Sequence, residues 1–228
     1  MNFLALLDLI AGIFFFLSWI GYGYYAKHKA RTKSSLLGVM PGYRKIWMEN
    51  MLERENKMID AMIIGNLMRM ITFFASTTIL IIAAIFAGLG SIEAVGRLTA
   101  NLPWVPEVSI EVQEARFIVL LIIFIYAFFK FTWSLRQNNF VSILIGSTNE
   151  LSEDENTKYI VEKTSRLESL AANSFNNSLR AYYFALAVLA WFLHPVLFML
   201  ATIGILFVLN RREFHSQTLS ILSSNENS

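Results

Sequence analysis

Four blocks of apolar sequence, each long enough with its flanks to cross a hydrocarbon core, leave this chain few folds to choose from. They run from Phe3 to about Tyr25, from Met70 to Leu89 with a polar-flecked lead-in from Asp60, from Phe117 to Trp133, and from Ala181 to Leu209. A helix needs about 20 apolar residues to cross a core of about 30 Å. In lipid every backbone N–H and C=O must be satisfied within the protein, so isolated blocks of this kind are helices. Composition agrees: 55% of the 228 residues are hydrophobic and 16% are charged, against about 45–50% and about 25% in soluble domains. The expected fold class is all-α, a polytopic membrane protein with four transmembrane helices at about 3–25, 60–89, 116–135 and 180–209. They form one domain over 1–222, with amphipathic cytoplasmic helical extensions in connectors 26–57 and 136–178 and a frayed tail at 223–228.

Several function classes fall away at once. The 19 Lys and Arg nearly cancel the 17 Asp and Glu, so there is no dense basic surface and no nucleic-acid partner is expected. Cys is absent, which removes disulfides, thiolate metal sites and a Cys nucleophile. The first block lacks the basic lead and small-residue cleavage site of a signal peptide, since Ile20–Tyr25 is bulky and aromatic. It reads as an anchor.

Lys and Arg set the expected orientation. Connector 26–57 holds Lys27, Lys29, Arg31, Lys33, Arg44, Lys45, Arg54 and Lys57, and the third connector holds Arg136, Lys158, Lys163 and Arg166. Between them the connector 90–115 holds only Arg97. The positive-inside rule then puts the first and third connectors in the cytoplasm of a cell (inner) membrane, with the N-terminus outside. Four spans return the C-terminus outside too, where Arg211 and Arg212 are out of place. Trp19, Tyr22, Tyr24, Tyr25 and Trp133 fall at the inner interface as an aromatic belt.

Within the first connector, Tyr43, Trp47, Met51, Met58 and Met62 recur at helical steps, with Lys45–Glu49 and Glu53–Lys57 as opposite-charge pairs one turn apart. This predicts one amphipathic helix running on into the second span, its Met-rich face adaptable to partners. Ser147 to Asn156 reads as a loop, and helical spacing resumes at Thr157 and runs into the fourth block. Asn101–Pro106 reads as a turn-rich outer loop.

Polar residues at membrane depth are the best pointers to a site, because each is costly to place there. On the second helix Gly65, Arg69, Thr72, Ser76, Ala83, Ala87 and Gly90 fall within about 60° of arc. Small residues let helices approach closely, so Gly65, Ser76, Ala83 and Ala87 are expected to pack against the other spans. Asn66 and Arg69 on the second helix, Lys130, Arg136 and Gln137 on the third, and Arg180 on the fourth reach the same inner level. They make a candidate pocket for an anionic lipid headgroup. Asp8, some ~7 Å inside the outer boundary, and His194, about halfway across at ~14 Å from the outer boundary, make a candidate proton or ion path. A bis-His haem lacks its second intramembrane His, and no metal-ligand spacing, nucleophile elbow or phosphate loop occurs, so no cofactor is expected.

Phe131–Asn139 closes the third span, Ser178–Leu186 opens the fourth, Ala190–Pro195 continues it, and Arg212-Glu213-Phe214 with Ser216 follows. With Asn66 and Phe74–Thr77, these strings resemble the uncharacterised multi-pass membrane family numbered 599 in the domain-of-unknown-function series. Where family members often carry Arg just before the Asn of the second span, this chain has Gly65, with Arg69 one turn later. The resemblance implies a four-helix membrane protein of bacteria or plants and no activity. The expected function is non-enzymatic, by association with membrane lipids and either further copies of the chain or other membrane subunits. The alternative is a small oligomeric transporter or channel for an ion or amphiphile, using Asp8, His194 and the inner Arg cluster.

Overall fold

A computed structural model describes residues 3–30, 35–92, 108–147 and 155–224, with the side chains of 3–5 and 155–157 excepted. Its helices are α1 (Phe3–Ala30), α2 (Leu36–Glu53), α3 (Met58–Leu89), α4 (Ile110–Gly146), α5 (Glu155–Trp191), α6 (Pro195–Phe214) and α7 (Gln217–Ser223). Among the described residues four stretches are long and apolar enough to cross a membrane: Leu6–Ala30, Met58–Leu89, Ile110–Gly146 and Pro195–Ser223. Among the described residues there is no strand. The expected outer loop 101–106 lies outside the described residues, as does most of 147–156.

Helices α4 and α5 are each 37 residues long, roughly 55 Å at 1.5 Å per residue. They form the central antiparallel pair, extending well past a bilayer core. A small polar side chain lets them approach: Ser134 Oγ of α4 donates to Ala171 O of α5 at 2.7 Å. Helix α3 packs on α4, and α1 packs on α6. The main core is aromatic, with Phe15, Phe131, Phe184 and Phe198 fully buried.

The expected fourth span, 180–209, is not one helix. Its first half ends α5 at Trp191, and α6 begins at Pro195. Proline has no N–H to donate and its ring collides with the carbonyl four residues back, so the helix stops before it. His194, in an extended conformation, caps the new helix by accepting from Val196 N at 3.1 Å through Nδ1. The chain then doubles back, stacking Phe198 on Trp191 with ring centroids 4.5 Å apart. The end of α5 becomes an inner leg of the bundle, with Ala181, Phe184, Ala187 and Val188 buried, as expected of a helix apolar on all sides. The C-terminal end of α6 therefore returns to the end of the bundle that carries α2, opposite to the start of α1. Tyr43 of α2 donates to Leu222 O at 3.0 Å. This corrects the expectation that both termini share a side, and Arg211 and Arg212 join the end rich in Lys and Arg.

Two smaller corrections follow. The Met-rich helix is broken: α2 stops at Glu53 and α3 starts at Met58. Asp60, in the first turn of α3 and fully buried, accepts from Trp47 Nε1 at 2.7 Å and Arg54 Nη1 at 2.6 Å, tying the start of α3 to the end of α2. Met48 and Met51 enter a second core with Ile64, Val141, Ile145 and Val161, while Met58 and Met62 are exposed. The polar stretch after Phe214, expected to fray, holds a short helix, α7, capped by Ser216 Oγ on Leu219 N at 3.2 Å, while 225–228 lie outside the described residues.

Candidate functional site

The small face of α3 points outward. Ser76, Ala83 and Ala87 are exposed, and a Cβ on Gly65 would meet nothing within 4 Å. The face that packs is Ile64, Ile71, Ala75, Thr78 and Ile85, about 130° further round the helix. Bulky branched side chains fill the contact with α4, and the small residues are left on the outside. The expectation that this face packs against the other spans is overturned.

At the α2 end of the bundle a cleft of about 870 Å³ opens between α1, α4 and α5. It gathers Lys130, Gln137 and Arg180 of the expected headgroup pocket, together with Lys27 and the aromatic residues Trp19, Tyr22, Tyr126 and Trp133. Asn66, Arg69 and Arg136 are not part of it. Asn66 and Arg69 bond each other on the exposed face of α3, and Arg136, also exposed, covers the Phe140 ring at 5.6 Å. Gln137 is held by both ends of its amide when Nε2 faces Leu170 O (3.2 Å) and Ser174 Oγ (2.9 Å) and the oxygen accepts from Trp133 Nε1 (3.2 Å). Arg180 backs the cleft and is neutralised by Glu213 of α6, with Nε donating to Oε1 at 2.7 Å and Nη2 to Oε2 at 2.9 Å. Tyr22 of α1 donates to the same carboxylate at 3.1 Å, and Arg180 Nη1 donates to Asn177 Oδ1 at 3.1 Å.

The opposite end holds a second buried charge cluster. Asp8 Oδ1 accepts from Arg116 Nη2 at 2.8 Å and from Trp191 Nε1 at 2.6 Å, which ties α1, α4 and α5 together. Asp8 and His194 form no hydrogen bond or ion pair with each other among the described residues. His194 spends Nδ1 on its cap.

On the α2 side, Arg44 pairs with Glu168 of α5. Burial pushes the Glu168 carboxyl above the usual range, outweighing the Arg44 guanidinium that pulls it down. A raised carboxyl favours the fold while protonated, so its stabilisation is complete below the usual carboxylate range and is lost as pH rises through the raised value. In melting curves between pH 5 and pH 8, Glu168→Gln should flatten the fall in stability that the wild type shows toward the alkaline side. Parallel curves for both proteins would remove Glu168 as the titrating group.

Sequence reasoning missed Arg116, Trp191 and Glu213 as site residues. Arg116 borders the third apolar block at a depth comparable to Asp8, and Glu213 stands inside the string Arg212-Glu213-Phe214, so both had a signal. Arg44 and Glu168 had none, because charges on amphipathic helices read as solvated faces.

This geometry defines a class: a multi-pass helical membrane protein with buried charge pairs at both ends of its bundle and no cluster of three His, Asp or Glu among the described residues. The chain belongs to the family described as "Protein of unknown function, DUF599", which matches residues 10–218. Among curated proteins and solved structures, none matches the chain.

Proposed function

We propose that this chain is a non-enzymatic integral membrane protein that works by association, with copies of itself or as an accessory subunit of a larger membrane complex. The observation that carries the reading is the outward face of α3. Without a hydrophobic driving force in lipid, helices associate where small residues let backbones approach, and here such a face runs the length of a spanning helix without being used inside the bundle. In this reading the Lys- and Arg-rich end, with α2 and the end of α6, faces the cytoplasm at the cell (inner) membrane, and Arg211 and Arg212 support it by adding to the count on that side. Passage of an ion along Asp8 and His194 gains no comparable support, because the Asp8 carboxylate is already bound by Arg116 and Trp191.

The test is native mass in lipid nanodiscs or lipid-retaining detergent, with bound proteins identified. Wild type should run as an assembly, and Ser76→Leu with Ala83→Leu should reduce it to single chains that remain folded, because both positions are exposed in the single chain. A wild type recovered as single chains would sink the reading.

A further inference from the structure

We infer that the cleft between α1, α4 and α5 is a binding site for one anionic amphiphile, a phosphate-bearing headgroup with an apolar tail. The site lies away from the outward face of α3, so it stands or falls independently of association through that face.

Three helices grade the cleft in the same direction. On α1 the lining passes from Phe16 through Lys27 to Ala30, on α4 from Tyr126 to Gln137, and on α5 from Phe184 through Asn173 to Leu170. The stretch on α4 is roughly 16 Å of helix axis. All three go from aromatic toward the bundle centre to cationic or amide residues in the α2 half, with Ala30, Leu37 of α2 and Leu170 at its rim. A small soluble anion has no use for the deep half, and an apolar chain alone has none for the mouth. An amphiphile meets both.

Charge decides the sign of the head. Among the described residues the lining contains Lys27, Lys130 and Arg180 and no Asp or Glu. Arg180 is already neutralised by Glu213 on its far side. Lys130 rests over the Tyr126 ring at 5.7 Å, and neither it nor Lys27 is ion-paired among the described residues. Two ammonium groups, Lys27 at the α2 end and Lys130 deeper over Tyr126, in a cleft with partly apolar walls attract an anion more strongly than the same groups in open water. The half-buried Asn176 adds an amide in the α2 half, and Trp19 and Trp133 present rings with a polar edge along the wall.

The experiment is native mass spectrometry of the full chain, titrated with phosphatidylglycerol, with phosphatidylcholine of the same chains, and with glycerol 3-phosphate as the soluble headgroup. Phosphatidylglycerol should be retained in preference to phosphatidylcholine, and Lys27→Gln with Lys130→Gln should lower its retention at least fivefold. Arg69→Gln with Arg136→Gln, which removes two cations outside the cleft, should leave it unchanged, and Lys130→Arg in place of Lys130→Gln should restore part of it in the Lys27→Gln background. Equal retention of the two lipids, or equal loss in both double variants, would overturn the site, since either result describes general surface charge. Binding of glycerol 3-phosphate as tight as that of the lipid would overturn the tail-reading half and assign the cleft to a soluble anion.

Discussion

Asp8→Ala should destabilise the protein by about 3–5 kcal/mol, the range for removing one partner of a buried ion pair. Arg116 is 2% exposed and its Nε already has no partner. Its guanidinium cannot escape by losing a proton, so taking away the carboxylate leaves a full charge facing the Trp191 ring, 5.7 Å from its centroid. The same change orphans Trp191 Nε1. Removing both partners is a different matter: Asp8→Leu with Arg116→Leu should recover most of the loss, because the desolvation of two charges disappears with them. Unfolding in a fixed detergent, read as a double-mutant cycle, measures the difference. If Asp8→Ala costs less than about 1 kcal/mol, the figure for an exposed pair, then Arg116 is reaching water and the cluster is not closed.

The same cluster shows what could be read from the sequence and what could not. Apolar length and helical period located the membrane-crossing helices α1, α3 and α4, because in lipid those two properties leave the backbone no other structure. They did not locate the hairpin at His194-Pro195. Proline inside an apolar block fits either a kinked span or a reversal, and the choice depends on partners 33 residues apart, Arg180 and Glu213, and on Phe198 meeting Trp191. Period also found the small face of α3 without saying which way it turns. That is settled by the shape of α4, which accepts Ile64, Ile71 and Ile85 and leaves Ala83 outside. Half of the candidate pocket was legible for a related reason. Equal depth along the helices brought Lys130, Gln137 and Arg180 to one level, but depth says nothing about azimuth, and Arg69 and Arg136 point elsewhere. Asp60 and Glu168 were invisible because each is buried by an element distant in sequence or folded back by a break that no local pattern marks.

Glu213→Ala should have an effect of similar size at the other end of the bundle, again about 3–5 kcal/mol. The carboxylate takes two parallel bonds from Arg180, at 2.7 and 2.9 Å, and one from Tyr22 at 3.1 Å. One side chain of α6 thus fastens α5 and α1, and its loss strands a buried guanidinium with only Asn177 as a partner. Arg180→Lys should be milder but not neutral, because a point charge replaces a planar fork matched to both carboxylate oxygens. The structural consequence differs from that of Asp8→Ala. Glu213 is the last acidic residue before Phe214 and α7, so releasing it frees the end of α6, where Arg211 and Arg212 offer a trypsin site. Limited proteolysis should cut Glu213→Ala after these arginines at an enzyme concentration that leaves both wild type and Asp8→Ala intact at that position. A Glu213→Ala protein that resists trypsin as the wild type does, and melts within about 1 kcal/mol of it, would mean that apolar packing around Phe198 and Leu209 holds α6 without the charge pair, and that the wall of the cleft is set by the aromatic core alone.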